Sequence, residues 1–189
     1  MCIRDRHQRL ATTFVYVTHD QVEAMTMATK VAILADGRLQ QVGAPHAVYA
    51  KPANRFVATF IGSPPMNVLD GELGQSEVAV AGGRLLVPRD LAAAADRLPS
   101  DGIAVGVRPE HLTVRPASHA PDAGLVGRVR VVESLGHERL VLVDVAGETV
   151  IARQSGDGTP PAPGTDVVLV ADPERVHLFD PDSGRRIDP

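Results

Sequence analysis

Apolar and polar positions follow two different periods along this chain of 189 residues. Up to about residue 62, short apolar runs alternate with segments whose apolar positions recur at helical spacing. Asp36-Gly37 is a strong signal for a tight turn between two strands. The pattern predicts strands at 13–17, 30–35 and 38–42, and helices at 20–28, 45–50 and around the apolar stripe of Phe56, Val57, Phe60 and Ile61. Such alternation of strands and helices is typical of α/β proteins.

Beyond residue 66 the apolar period changes to two, which is the period of strands with one buried face. In the stretch 126–132, Arg128 and Arg130 are predicted to face one side, with Val129 and Val131 on the other. The predicted strands are 67–73, 77–81, 85–87, 103–108, 126–132, 139–145, 149–153, 167–170 and 176–179, with an alanine-rich helix at 90–97. Many short strands at this spacing predict a small closed barrel, followed by a frayed tail at 181–189.

Composition is that of an ordinary soluble globular protein, with 44% hydrophobic and 22% charged residues. The length allows one or two domains with a real core. Net charge is −4 with both signs interspersed, so the chain lacks the concentrated basic patch that a nucleic-acid partner needs. The single cysteine, Cys2, fits a reducing cytosol. No apolar stretch approaches the roughly 18 residues of a membrane-spanning helix.

The junction between the first predicted strand and its following helix contains the main candidate residue. Asp20 is a good N-cap for that helix, and Glu23 three residues later completes a capping box. His19 is therefore predicted at the carboxyl end of a strand, the edge at which α/β sheets bind ligands. A lone histidine is more often structural than catalytic, so the residues around it decide its interpretation.

Two sets of residues carry a resemblance to one family. Residues 18–28, which begin Thr-His-Asp-Gln-Val-Glu-Ala, resemble the switch-histidine segment of MalK-type ABC transporter ATPases, which drive importers of sugars and glycerol phosphate. Residues 106–112, Gly-Val-Arg-Pro-Glu-His-Leu, resemble the recurring motif of the C-terminal regulatory domain in that family. Residues 133–136 and 174–180 resemble further strands of the same domain. The resemblance covers residues 7 to about 187.

The resemblance implies a C-terminal fragment of such a subunit, with two domains. Residues 7–62 would be an α/β remnant of the nucleotide-binding domain, and residues 63–180 an all-β, OB-like (TOBE) regulatory domain. Residues 1–6 do not resemble the family, and we expect them to be an artefact of gene-fragment assembly. We expect residues 64–180 to be stable alone and 7–62 to be marginal, because the first strand would lack its neighbours in a parallel sheet.

In the family, the switch histidine contacts the γ-phosphate of ATP and helps to position the attacking water. The resemblance therefore makes His19 the candidate catalytic and ATP-contacting residue, with ATP and Mg²⁺ as cofactors of the intact subunit. This sequence has no Gly-Lys pair and hence no phosphate loop. It also has no signature motif and no catalytic carboxylate, which phosphoryl transfer needs. The chain itself is expected to be inactive and to bind neither cofactor well, and no residue is assigned as a metal ligand.

The resemblance also implies partners at the cytoplasmic face of a membrane. These are a second copy of the subunit in a homodimer, transmembrane permease subunits, and a regulatory protein on the C-terminal domain. The alternative is a non-catalytic regulatory or small-ligand-binding OB-like module. An OB-type nucleic-acid binder would need stacking aromatics and a basic groove, and four Phe and two Tyr with an acidic balance do not supply them.

The remaining polar residues are interpreted as structural. Arg108, Glu110 and His111 surround Pro109 in a turn, where ion pairs would tie the strand to its neighbours. Three histidines are dispersed along the sequence and lack the spacing of a zinc site: His119, His137 and His177.

Overall fold

The computed structural model describes residues 13–99, 102–119 and 123–189. At His119 it describes the backbone alone. The chain divides into two compact units, Met1–Ala53 and Asn54–Pro189. This division falls earlier than the boundary predicted at 62/63, because the helix at Arg55–Phe60 packs with the strands that follow it. Its Ala58 joins Met66 and Phe179 in one buried cluster. The artefact expected at residues 1–6 lies outside the described residues.

The first unit contains a helix, a hairpin and a second helix among its described residues. These elements are α1 at Gln21–Met27, β1 at Val31–Ala35, β2 at Arg38–Gly43 and α2 at Pro45–Ala50. The strands pair antiparallel around Asp36 and Gly37, whose φ angles of 49° and 72° are those of a type I′ turn. Pro45 occupies the first turn of α2, where its missing N–H costs nothing. These four predictions from periodicity and turn residues are confirmed.

The prediction of a strand at 13–17 is wrong. Residues 13–18 form no regular element, and the side chains at 13–17 are exposed, Val15 by 91% and Val17 by 90%. Among the described residues, the first unit holds a two-stranded antiparallel sheet in which this segment takes no part. High β-propensity alone does not make a strand, because propensity reflects packing on an existing sheet. The α/β sheet remnant predicted for this part of the chain is therefore not seen in the structure.

The second unit is built mainly from antiparallel strands. It begins with α3 at Arg55–Phe60, and α4 at Arg89–Ala95 lies between β5 and β6 in sequence. Its described strands β3 to β13 are Asn67–Leu73, Glu77–Val80, Gly83–Leu86, Ile103–Val107, Leu112–Pro116, Gly124–Ser134, Glu138–Val145, Glu148–Ser155, Asp166–Ala171, Val176–Phe179 and Arg186–Ile187. Short 3₁₀ helices occupy Pro109–His111, Ala117–His119 and Pro173–Arg175. The predicted all-β architecture with one alanine-rich helix is confirmed.

The strands join in the order β10-β9-β8-β5-β4-β3-β6-β12-β13, and β11 pairs with both β7 and β8. Alternate side chains of β9 enter the core, where Val141, Val143 and Val145 are at most 1% exposed. The core is almost entirely aliphatic, as expected for a chain with 3% aromatic residues. Burying each such side chain stabilises the fold by about 1.5–3 kcal/mol before the entropy of ordering is subtracted.

A β-bulge in β8 changes the predicted alternation of that strand. The register with β9 shifts between Val129 and Val131. Val129 is 1% exposed whereas Val131 is 46% exposed, so the two valines do not lie on one face as predicted. A bulge inserts one residue into one strand, and every later side chain then changes face. Periodicity in the sequence alone cannot reveal such an insertion.

The frayed tail predicted at 181–189 is wrong for part of its length. Leu178 pairs with Ile187 and Phe179 with Arg186, which adds β13 to the edge of β12. The turn between them is held by Asp180, whose Oδ1 accepts hydrogen bonds from the backbone N–H groups of Asp182 and Ser183 at 2.9 and 3.4 Å. Aspartate side chains commonly stabilise turns in this way.

Two strand–turn–strand segments of the second unit pack against each other. The first is β6, the 3₁₀ helix Pro109–His111 and β7, and the second is β11, the 3₁₀ helix Pro173–Arg175 and β12. Val107 pairs with Val176, and Leu112 pairs with Ala171. The two Pro-Glu turns therefore lie side by side with opposite chain directions, and the backbone N–H of Asp172 donates to the carbonyl of His111 at 3.3 Å.

Candidate functional site

His19 lies in a bend immediately before α1, and its side chain is exposed. Asp20 is the N-cap of that helix, as predicted: its carboxylate accepts hydrogen bonds from the backbone N–H groups of Val22 and Glu23 at 2.8 and 3.2 Å. The predicted strand end before His19 is absent, so a helix cap, rather than a sheet edge, defines the position of this residue.

The capping box differs from the prediction in its second half. The backbone N–H of Asp20 donates to Thr18 Oγ1 at 2.9 Å, and Glu23 Oε2 instead accepts from the hydroxyl of Thr18 at 3.0 Å. The same Oε2 accepts from the hydroxyl of Tyr16 at 3.1 Å. We call these four residues, Tyr16, Thr18, Asp20 and Glu23, the Glu23 cluster. It brings together both chain neighbours of His19 and the first turn of α1.

The carboxylate of Glu23 affects the pKa of the Tyr16 phenol. The hydrogen bond to Glu23 raises the pKa of Tyr16 above its usual value, and the negative charge of the same carboxylate adds to the effect. Loss of the phenolic proton would place two negative groups side by side, which is why the protonated form is favoured.

His19 can serve as a hydrogen-bonding group for a ligand outside the first unit. An exposed imidazole can donate a hydrogen bond to an anionic oxygen. Within the described ranges, no three His, Cys, Asp or Glu side chains come together in a way that could hold a metal ion. No helix in the described part of the chain has the length and apolar character needed to cross a membrane.

The Arg108 motif has an architectural role, as predicted. The Arg108 side chain is 1% exposed, and its Nη1 donates to the carbonyls of Ala58, at 3.2 Å, and of Ile61. These carbonyls lie at the C-terminal end of α3, where helix C=O groups lack intrahelical partners and a positive charge is favourable. Both carbonyls lie far from Arg108 in sequence.

Two histidines of the second unit are held neutral by their surroundings. Burial, together with the positive charges of Arg186 and Arg108, lowers the pKa of His177 to about 4. Burial also lowers the pKa of His111. His177 stacks at a tilt on Phe179 with ring centroids 6.4 Å apart. Both features support the structural role predicted for His177.

A shallow cavity of about 400 Å³ lies over the paired Pro-Glu turns. Side chains of Glu110, His111, Asp172 and Arg175 contribute to its lining. Glu110 and His111 are about 60 positions from Asp172 and Arg175 in sequence, and the pairing of β7 with β11 brings them together across the sheet.

Two polar residues that organise the second unit, the half-buried Asn67 and the buried Arg139, were not identified from the sequence. The carboxamide of Asn67 bonds to the backbone of Ile151, and Arg139, 4% exposed, donates to the carbonyls of Ser155, Asp157 and Gly158. Arg139 could have been suspected, because it occupies an inward-facing position of an alternating strand. No local signal identifies Asn67.

Comparison with known proteins identifies the domains of the second unit. Residues 62–112 match the MalK OB fold domain, and residues 105–179 match the TOBE domain. The second unit is therefore an OB-fold and TOBE module, in agreement with the predicted regulatory domain type.

Longer relatives match nearly the whole chain. The sn-glycerol-3-phosphate import ATP-binding protein UgpC of Chromobacterium violaceum is 43% identical over 190 residues, covering 98% of this chain and 49% of the relative. The diacetylchitobiose uptake system ATP-binding protein MsiK of Streptomyces coelicolor is 41% identical over 201 residues, covering 98% and 53%. Nearly the whole chain is thus similar to import and uptake ATP-binding proteins, and residues 62–179 carry the MalK OB fold and TOBE domains. The chain spans about half the length of these relatives.

Proposed function

We propose that this chain is the C-terminal part of an ATP-binding subunit that couples ATP hydrolysis to the import of carbohydrates or glycerol phosphate. The observation that carries the proposal is identity of 41–43% along 98% of the chain to import and uptake ATP-binding proteins. The OB-fold and TOBE module at 62–179 supports the same assignment. ATP and Mg²⁺ would be held mainly by residues of the whole subunit that this sequence does not contain.

In this proposal His19 contacts the γ-phosphate of ATP and orients the attacking water. Its exposure and its position between two hydrogen-bonded neighbours, Thr18 and Asp20, support this role. An imidazole at that place would donate to a phosphate oxygen and take up a proton as water attacks. Such acid/base and positioning roles are worth about 10²- to 10⁴-fold in rate.

The first unit would be the end of the nucleotide-binding domain. The rest of the subunit would complete the α/β sheet of that domain. The exposed apolar side chains of the first unit support this proposal: Leu34 and Leu39 of the hairpin are each 61% exposed, and the side chains of segment 13–17 are exposed as well. Contiguous exposed apolar positions usually mark a surface that another element covers.

The second unit would regulate the subunit and hold two copies together as a homodimer. The dimer would act on transmembrane permease subunits from the cytoplasmic side of the membrane, and a regulatory protein would bind the OB-fold and TOBE module. The matched domains support a regulatory module at 62–179.

The test is to extend the gene upstream and assay the longer protein. We expect an in-frame phosphate loop and ATP hydrolysis that the His19→Ala variant loses by about 10²-fold or more. His46→Ala is the matched control, because His46 is an exposed histidine of the same unit on α2, and it should retain full activity. Full hydrolysis by His19→Ala would contradict the catalytic assignment.

A second candidate is a non-catalytic module that binds a small ligand. The cavity over the Pro-Glu turns favours it, since Arg175 and Asp172 offer charges of both signs at one place. An upstream extension without a phosphate loop would favour this candidate over the importer subunit.

A further inference from the structure

We propose that Glu23 is a positioning residue for His19 and acts through the hydroxyl groups of Thr18 and Tyr16. The inference rests on the proposed function, in which His19 contacts ATP. Its basis is that one carboxylate oxygen, Glu23 Oε2, accepts hydrogen bonds from both hydroxyls, at 3.0 Å from Thr18 and 3.1 Å from Tyr16.

The hydrogen bonds fix the backbone on both sides of His19. Thr18 is joined to α1 through Glu23, and its Oγ1 also accepts the N–H of Asp20 at 2.9 Å. Asp20 is joined to the same helix turn through the N–H groups of Val22 and Glu23. A single residue between two anchored neighbours retains little backbone freedom, while its exposed side chain stays accessible to a ligand.

The chemistry of the contacts favours a carboxylate at this position. The hydroxyls of Tyr16 and Thr18 are directed to one group as donors, and an ionised carboxylate is an acceptor with about four lone-pair sites. Hydrogen bonds to a charged acceptor are roughly twice as strong as neutral ones. The raised pKa of Tyr16, caused first by this hydrogen bond, is consistent with the contact.

The simpler explanation is that Glu23 only stabilises the start of α1. An acidic residue in the first turn is favourable in any helix, and a capping box would use Glu23 on the N–H of Asp20. In this structure Thr18 receives that N–H, and the carboxylate contacts residues that precede the cap. Glu23 therefore acts on the segment that carries His19 as well as on the helix.

The first experiment measures the order of the His19 backbone amide by ¹⁵N relaxation in this chain. We expect Glu23→Ala to lower its order parameter from about 0.85 to below about 0.6, and Glu23→Gln, which keeps an acceptor oxygen, to restore most of it. The control is Thr26→Ala, because Thr26 lies on the same helix and its hydroxyl donates to the carbonyls of Val22 and Glu23 within that helix.

Two results would overturn the proposal. One is an unchanged order parameter for His19 in Glu23→Ala. The other is equal loosening in Thr26→Ala, which would mean that helix stability alone determines the order of His19. Amide signals from the last turn of α1 report separately whether the helix itself persists in each variant.

Tyrosine absorbance gives an independent readout that a purely helical role would not change. The chain has two tyrosines and no tryptophan, so tyrosinate formation can be followed cleanly. Glu23→Ala should shift one of the two transitions to lower pH, because the contact that raises the pKa of Tyr16 is lost. The Thr26→Ala variant should leave both transitions in place. A Glu23→Ala titration identical to that of the unmodified chain would refute the contact.

Assays of the upstream-extended protein test whether the order of the His19 backbone affects ATP hydrolysis. There, Glu23→Ala should lower kcat about tenfold and change KM for ATP by less than about twofold, because His19 acts on the reacting phosphate more than on binding. Full hydrolysis by His19→Ala would defeat the proposed function, whatever the order of His19. Lost hydrolysis in His19→Ala, together with full hydrolysis in Glu23→Ala, would defeat the positioning role alone.

Discussion

The side chain of Asn67 forms a pair of hydrogen bonds with the backbone of Ile151, as a neighbouring strand would. Its Oδ1 accepts the Ile151 N–H at 2.8 Å, and its Nδ2 donates to the Ile151 carbonyl at 2.8 Å. Nδ2 also donates to the Val107 carbonyl at 3.2 Å. One carboxamide thus joins β3, β6 and β10, although β10 is at one end of the strand order and is not paired with β3. Removing the amide should destabilise the whole second unit.

We expect Asn67→Ala to lower the free energy of unfolding by about 1–3 kcal/mol, because it leaves backbone groups of Ile151 without their partner. Asn67→Asp should cost more at neutral pH, since a carboxylate cannot donate to the two carbonyls. Urea denaturation of each variant checks both expectations. Glu72→Gln, on the exposed face of the same strand, is the control and should be nearly neutral. An Asn67→Ala midpoint equal to the control would contradict the role.

Arg108 should be equally sensitive to substitution. Arg108→Met keeps much of the buried volume but removes the charged donor to the carbonyls of Ala58 and Ile61. Hydrogen bonds from a charged group are worth about 1.5–3 kcal/mol, so a loss of that size is expected in chemical denaturation. Hydrogen exchange should also quicken in α3. The exposed Arg115 provides the control variant Arg115→Met, and comparable losses in the two would argue against a specific cap.

Acidification should weaken the second unit through His177. Its pKa is about 4 in the folded chain, against 6.5 for the ordinary side chain, because burial disfavours the charged ring. The unfolded chain therefore binds more protons between pH 6.5 and about 4, so stability falls as the pH is lowered through that window. The loss attributable to this ring is on the order of 2 kcal/mol.

Urea midpoints at pH 7 and pH 5 test this dependence. His177→Gln, which stays neutral at both values, should reduce the difference between them. The exposed His137 supplies the control His137→Gln, which should leave the difference unchanged. His111 titrates in the same direction, so part of the dependence should remain in His177→Gln. A pH dependence unaffected by His177→Gln would show that another group is responsible.

Limited proteolysis should remove the first unit before the second. Lys30, Arg38 and Ala50 of the first unit are exposed to a protease of broad specificity such as subtilisin, whereas the second unit contains the main hydrophobic core. Cleavage of a folded protein follows local opening, which is easiest where few apolar contacts are buried. Mass spectrometry should find a resistant product that begins near residue 52 and extends through β13. Early cleavage within β8 to β11 would contradict the expectation that this region is stable alone.

Local signals predicted the local structure correctly. Asp36-Gly37 specified its turn, Asp20 its helix cap, and the alanine-rich run its helix, because each depends on residues a few positions apart. The segment 13–17 was mispredicted as a strand because a strand depends on neighbours that its own residues do not encode. Periodicity also predicted most strands of the second unit, but it missed β7, β13 and the bulge in β8.

The candidate site was predictable only in part. His19 and Asp20 could be selected from the sequence. The structure places His19 in a bend and Asp20 at the N-cap of α1. The contacts of Glu23 with Tyr16 and Thr18 could not, because they replace the expected capping box by another local arrangement. Asn67 and Arg108 form their contacts across 84 and 50 positions of sequence, respectively, so only the folded chain reveals them.

The exposed run at 14–17 has a practical consequence for anyone who purifies this polypeptide. Phe14, Val15, Tyr16 and Val17 are each more than half exposed, and an unbroken apolar run of this kind is where strands of separate molecules tend to add to one another. Dilute preparations would remain monodisperse longest, and concentrated stocks would precipitate through this stretch first. A lysine in place of Val15 would be the mildest remedy, since that side chain is 91% exposed and lies outside the Glu23 cluster.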